Sequence, residues 1–153
     1  MIEQELARHL RKFIEDAVKD FRLPVEKEKK PRAPKIINGY LPPKRSDKGD
    51  DFPFVVVRPD AATCEREVTE VTVSIIIGCW AKEEEYDGYE YCMNVMTRIR
   101  NALTSMENGT LAEKYVLNFP ISWNNVTEQP WPQWQLDMET KWRFNTPQAI
   151  TDF

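Results

Sequence analysis

The stretch QWQLDMETKWRFN, residues 133–145, decides the fold. Trp134, Leu136, Met138, Thr140, Trp142 and Phe144 take every second position, and Gln135, Asp137, Glu139, Lys141, Arg143 and Asn145 fill the positions between. Successive side chains point to opposite faces of a β-strand, so the pattern predicts one long strand with a covered apolar face and a polar face toward water. A covered face needs something to cover it. That requirement directs attention to the rest of the chain.

Residues 66–80, REVTEVTVSIIIGCW, repeat the alternation, with Val71, Val73, Ile75 and Ile77 on one face and Thr72 and Ser74 on the other. Val68 falls out of phase there, which predicts a bulge near Thr69. Residues 52–59, FPFVVVRP, run apolar without a break and read as a strand buried on both faces. YVLNFPISW, residues 115–123, reads as a strand interrupted by Pro120, and KIINGY, residues 35–40, as the start of a short one.

Two segments have helical spacing. In residues 2–21 an apolar stripe of Ile2, Leu6, Leu10, Phe13, Ala17 and Phe21 recurs at steps of three and four, and Pro24 closes the segment. His9, the only histidine, lies beside that stripe and reads as a surface or boundary residue. Residues 88–107 carry a second stripe, Cys92, Val95, Met96, Ile99, Leu103 and Met106, with Arg98 and Arg100 facing outward and Gly109 as the stop. Runs of strands between two helices predict an α+β fold, a mostly antiparallel sheet with both helices packed against it. The 153 residues read as a single domain, 1–153, containing a linker-like segment at 24–35 and an exposed loop at 39–51 rich in Gly, Pro and charge.

Composition narrows the function classes. Three cysteines, Cys64, Cys79 and Cys92, are widely spaced with no CxxC pair, which predicts reduced thiols and no zinc or redox motif. No apolar run approaches the ~20 residues of a membrane helix, and the charged N-terminus does not read as a signal peptide, so a cytoplasmic protein with no membrane partner is expected. Residues 1–48 carry 13 Lys/Arg against 8 Asp/Glu, a balance of +5, whereas residues 49–153 carry 8 against 17, a balance of −9. Phosphate neutralisation dominates duplex binding, so this net acidic chain is not expected to bind nucleic acid sequence-specifically.

The chemical candidates lie in three places. Glu83, Glu84, Glu85 and Asp87 stand between strand and helix, but consecutive glutamates diverge rather than converge on one ion. They read as a solvated connection before the positive end of a helix. Asp60 with Glu139 and Lys141 forms an Asp…Glu-x-Lys set similar to that of metal-dependent restriction-type nucleases, in which carboxylates hold Mg²⁺ and lysine helps activate water. The same residues sit in a row where opposite charges alternate, as on an ordinary polar sheet face. Trp123, Trp131 and Trp134 cluster in SWNNVTEQPWPQW, residues 122–134, and exposed tryptophans serve either a carbohydrate-binding module or a protein interface. Trp134 reads as core and Trp131 as exposed.

FPFVVVRPD, then VTVSIIIGCWAKEEEYDGYEYCMNVMTRIRNAL, then the long final strand resemble small tail-terminator or head–tail joining proteins of long-tailed bacteriophages. The matching motifs are Phe52–Pro59, Ile75–Gly78, Asp87–Tyr89 and Arg98–Arg100, within residues 36–145. The resemblance implies a non-enzymatic virion protein with no cofactor. It would be a homo-oligomeric ring, usually a hexamer, that caps the tail tube and meets the major tail tube protein on one side and the head connector or completion protein on the other. Expected locations are the virion and, during assembly, the host cytoplasm. Lys44, Arg45, Lys48, Glu83, Glu84, Glu85, Asp87, Tyr89 and Trp131 are then the candidate assembly contacts. Gly78 and Gly88 are expected to let the chain turn tightly at the acidic junction.

Overall fold

The structure, a computed structural model, describes residues 2–25, 30–41, 51–82, 87–126, 128 and 131–147. Helix α1 spans Ile2–Val18 and α2 spans Asp87–Thr104. Six strands, β1 Lys35–Asn38, β2 Phe54–Cys64, β3 Val68–Trp80, β4 Thr110–Leu111, β5 Tyr115–Asn125 and β6 Gln133–Asn145, form one sheet in the order β1-β2-β3-β6-β5-β4. Four of its pairings are antiparallel, and β1 joins β2 in parallel, so the α+β sheet is mixed, though mostly antiparallel.

The long strand occupies the predicted residues. Trp134, Leu136, Met138, Thr140, Trp142 and Phe144 are all buried, facing the helices. β3 lies beside it with Val71, Val73, Ile75 and Ile77 in the same core. The buried hydroxyl of Thr140 donates to the Val73 carbonyl at 3.0 Å and accepts the Trp142 indole N–H at 2.9 Å, so the polar atoms of the central layer satisfy one another. The first four residues of β2, Phe54–Val57, are buried on both faces as expected, whereas the strand runs on past the expected residue 59 to Cys64 with its last five residues exposed. Val55 and Val57 join the main core, while Phe54 and Val56 build a second cluster with Phe52 on the opposite face.

Several expectations need correcting. The buried stripe of α1 is Leu6, Ala7, Leu10, Ile14 and Val18, with Ile2, Phe13, Ala17 and Phe21 only flanking it. The helix has two neighbouring apolar rows, and packing against the sheet selects one. There is no bulge at Thr69: β3 pairs with β6 in unbroken register from Val68 to Trp80, and Val68 simply faces water at the strand's end. The register shift lies on β2 instead, between Pro59 and Ala61, next to a residue with no N–H for the ladder. α2 stops at Thr104 rather than 107, and Gly109 belongs to a separate short 3-10 turn, Glu107–Gly109, where it and Asn108 have positive φ.

The expected linker is docked at its described ends. Leu23 and Arg32 exchange backbone hydrogen bonds, Val25 is buried, and the Arg32 guanidinium donates to the carbonyls of Ala33, Phe52 and Pro53. β5 continues past Pro120 to Asn125, with a register shift between Asn118 and Ser122. Arg98, expected only to face outward, clamps the helices together. It donates to the Ala17 carbonyl in the last turn of α1 at 3.1 Å, pairs with Asp20 at 2.8 Å and lies over the Phe21 ring.

Trp142 is wholly buried and anchors the central layer. Trp142→Ala should therefore cost about 3–5 kcal/mol in denaturant unfolding, through lost burial and the cavity left behind. A loss under about 1 kcal/mol, the range of surface substitutions, would contradict this placement.

Candidate functional site

The described ends of the acidic, tyrosine-rich junction, Ala81 and Gly88, rest on a tryptophan. Trp134 pairs with Cys79 across the β3–β6 ladder, and its indole N–H donates to the Ala81 carbonyl at 3.4 Å. The Ala81 N–H in turn donates to the Pro132 carbonyl at 2.9 Å. The first turn of α2 then brings Gly88 onto the Trp134 ring so closely that a Cβ there would overlap the indole. Gly78 does the same for the ring of Phe54, its partner on β2. Neither glycine has the positive φ of a tight turn, so the expectation that they turn the chain is corrected: they admit aromatic rings against the backbone.

This foundation holds up two exposed aromatics. Tyr89, next to Gly88, is 43% exposed, and Trp131, next to Pro132, is 54% exposed. Asp87 opens α2 and, with Glu90, places carboxylates in its first turn, where the helix dipole favours negative charge. Asp87, Tyr89 and Trp131 thus gather at one end of the β3–β6 pair. The remaining expected contacts, Lys44, Arg45, Lys48, Glu83, Glu84 and Glu85, lie outside the described residues.

The nuclease-like residues do share a face of the sheet. Ser74 stands opposite Glu139 in the β3–β6 register, and Lys141 follows two residues on. Asp60 reaches this row from β2, but both its oxygens are engaged: one accepts from Arg58 Nε at 2.9 Å and the other from the Ser74 hydroxyl. Among the described residues no three His, Cys, Asp or Glu side chains gather to hold a metal ion. Of the tryptophans weighed for stacking on sugar, Trp123 and Trp131 are exposed, whereas Trp134 is buried beneath Gly88.

Other groups emerge only in three dimensions. The Arg58 guanidinium lies over the Tyr40 ring, 4.4 Å from its centroid, joining β1's end to the Asp60 row. Phe119 is exposed beside Pro120 on β5. The three cysteines are free, with Cys64 exposed and Cys79 and Cys92 buried together. The hydrogen bond with Cys92, followed by burial, holds the Cys79 thiol well above the ordinary thiol range, so it stays protonated. Burial, then the nearby Glu5 charge, likewise raises Tyr115, whose hydroxyl lies 3.5 Å from Glu5 Oε2. Among the described residues no helix is long and apolar enough to cross a membrane.

No protein-family model matches the chain, and no curated protein matches it in sequence.

The Gly88–Trp134 contact makes a sharp prediction. Gly88→Ala should destabilise the protein by about 1–3 kcal/mol through overpacking, despite the better helix propensity of alanine. Its near-UV circular dichroism should change with Trp134's surroundings. An unaltered spectrum together with unaltered or raised stability would show that the ring does not rest on residue 88.

Proposed function

We propose that the protein is a structural component of long-tailed bacteriophage virions, a ring-forming tail terminator that caps the tail tube and joins it to the head connector. The observation that carries this reading is the junction, where Tyr89 and Trp131 stand exposed on a rigid base made by Trp134, Gly88 and Ala81. Aromatic side chains on a fixed base lose little freedom on contact, and Tyr and Trp are the residues most often found at energetic centres of protein interfaces.

The motifs that carry the resemblance adjoin this base. Ile75–Gly78 lies in the second half of β3, which leads into it, Phe54–Pro59 pairs alongside, and Asp87–Tyr89 opens the helix above. The uneven charge of the chain also supports the reading. A head-to-tail ring, a hexamer by the resemblance, presents two different surfaces per subunit, so opposite charges can meet around the circle. Screening acts within about 10 Å at 0.1 M salt, so contacts of this kind between exposed charges weaken as salt rises. The free subunit is then monomeric in dilute, salty buffer and forms a ring on the tail tube, between the major tail tube protein and the head completion protein. It resides in the host cytoplasm during assembly and in the virion afterwards.

Electron microscopy of phage lacking the functional protein should show tails of uncontrolled length without heads. Normal-length, head-joined tails would rule the terminator role out. Trp131→Ala should impair joining while changing folding stability by no more than about 0.5 kcal/mol, as for other exposed sites.

The row of Asp60, Ser74 and Glu139 supplies its own check. Purified protein incubated with DNA and Mn²⁺ should leave the DNA intact. Cleavage that disappears in Asp60→Ala or Glu139→Ala would replace the structural role with a nuclease.

A further inference from the structure

Two asparagines in the chain are followed by glycine, Asn38 before Gly39 and Asn108 before Gly109. The pairing matters chemically. Glycine has no side chain to hinder its own amide nitrogen, which can swing onto the side-chain carbonyl of the residue before it. The fold places the two pairs in unlike settings.

Asn108 is exposed in the 3-10 turn Glu107–Gly109, between α2 and β4. Its backbone is left-handed, with φ 56° and ψ 16°, and Gly109 follows at φ 64°. Asparagine tolerates that region better than most residues, yet the right-handed region remains cheaper for it. Few bonds hold the turn. The Gly109 N–H donates to the Met106 carbonyl at 3.1 Å, and Thr110 donates both its N–H and its hydroxyl to the Glu107 carbonyl. No residue of the turn is buried, and the strand that follows, β4, has only two residues.

Asn38 is held differently. It lies in β1 opposite Val57, and the Gly39 N–H donates to the Val57 carbonyl at 2.8 Å. Its Oδ1 is buried, as are Ile36 on the same strand and Val55, Val56 and Val57 on the partner strand. Freeing this pair requires β1 to leave a buried ladder. Local opening is far more frequent in an exposed turn with few buried contacts than in a strand anchored to a core.

We propose that Asn108 is a site of spontaneous modification, where the Gly109 amide nitrogen converts the asparagine to aspartate and isoaspartate. The nitrogen gives its proton to solvent base and attacks Asn108 Cγ. The new N–Cγ bond forms, the Cγ–Nδ2 bond breaks, and ammonia leaves with a proton taken back from solvent. A cyclic imide remains. Water opens it at Cγ to give aspartate, or at the main-chain carbonyl to give isoaspartate, whose backbone runs through the former side chain. Only water is consumed. Ring closure moves Asn108 away from its ψ of 16°, so the Gly109 bond to Met106 must break first, and opening of the turn gates the reaction. The inference does not depend on the terminator reading.

The test holds the full native chain in mildly alkaline buffer at physiological temperature and samples it over time. Mass spectrometry of proteolytic peptides follows each asparagine, and an isoaspartate-specific methyltransferase scores the rearranged product. Conversion at Asn108 should run at least about tenfold ahead of conversion at Asn38, because the two sites differ in how readily they open. Each event replaces a neutral amide by a carboxylate, so a more acidic species should grow on anion exchange at the same rate. In denaturant both asparagines keep their glycine and lose their surroundings, and the two rates should converge. Equal rates in the native chain, or Asn38 converting first, would overturn the proposal. So would an Asn108 that stays intact in the native chain while the denatured chain reacts, aspartate formed without isoaspartate, or no conversion in either state.

Discussion

The pairing of β3 with β6 is the constraint on which everything else depends. Thirteen residues of each strand meet in unbroken register, from Val68 opposite Asn145 to Trp80 opposite Gln133. Side chains alternate with period two, so a slip of one residue would turn Trp142, Met138 and Leu136 to water and bring Lys141 and Glu139 inward. The register also aligns the buried Thr140 hydroxyl with its partners. Thr140 can be buried because the Val73 carbonyl lies opposite and the Trp142 indole lies two residues along. An unpaired hydroxyl in that layer would cost about 1–3 kcal/mol, so the same contacts that fill the core also help specify the register.

Irregularity is displaced outward from this pair. The strands flanking it, β2 and β5, carry Pro59 and Pro120, and each shifts register there. The central strands contain no proline and no shift. Moving outward, the sheet becomes two-faced in a graded way. On the face away from the helices, β6 presents Asp137, Glu139, Lys141 and Arg143, while toward β1 the same face carries Phe54, Val56, Ile76 and Trp80 as a second apolar cluster. That face is therefore polar along β6 and apolar and buried along β2.

What the sequence made legible follows from which signals are local. The alternation in residues 133–145 and 68–80 is a property of neighbouring residues, and both strands and their buried faces were readable from it. The rotation of α1 was not, because its apolar residues fill two adjacent rows and only contact with the sheet and α2 chooses Leu6, Leu10, Ile14 and Val18. The parallel joining of β1 to β2 was equally hidden, since four residues carry little periodic signal. At the junction, the exposure of Trp131 and the burial of Trp134 were legible from loop and strand context. The reason for Gly78 and Gly88 was not, because each glycine answers an aromatic ring on another element. The clamp made by Arg98 was hidden for a similar cause: its exposure is local, but its partners Ala17 and Asp20 lie on and just beyond the other helix.

The same distinction bears on the choice between chemistry and contact. A catalytic site needs side chains that converge and keep capacity in reserve for a substrate. Along the polar row Asp60 is held by Arg58 and Ser74, and Asn118 donates to Glu70 across the sheet. At the junction the arrangement is reversed. Trp134, Ala81 and Gly88 pack and bond to one another below the surface, and Tyr89 and Trp131 stand exposed above them. Burying a large aromatic releases about 25 cal/mol for each Å² removed from water, and the rigid base lowers the entropy lost in doing so. The partner surface proposed above is placed at the junction on that ground, and loss of a single side chain there should separate the proposed assembly from folding.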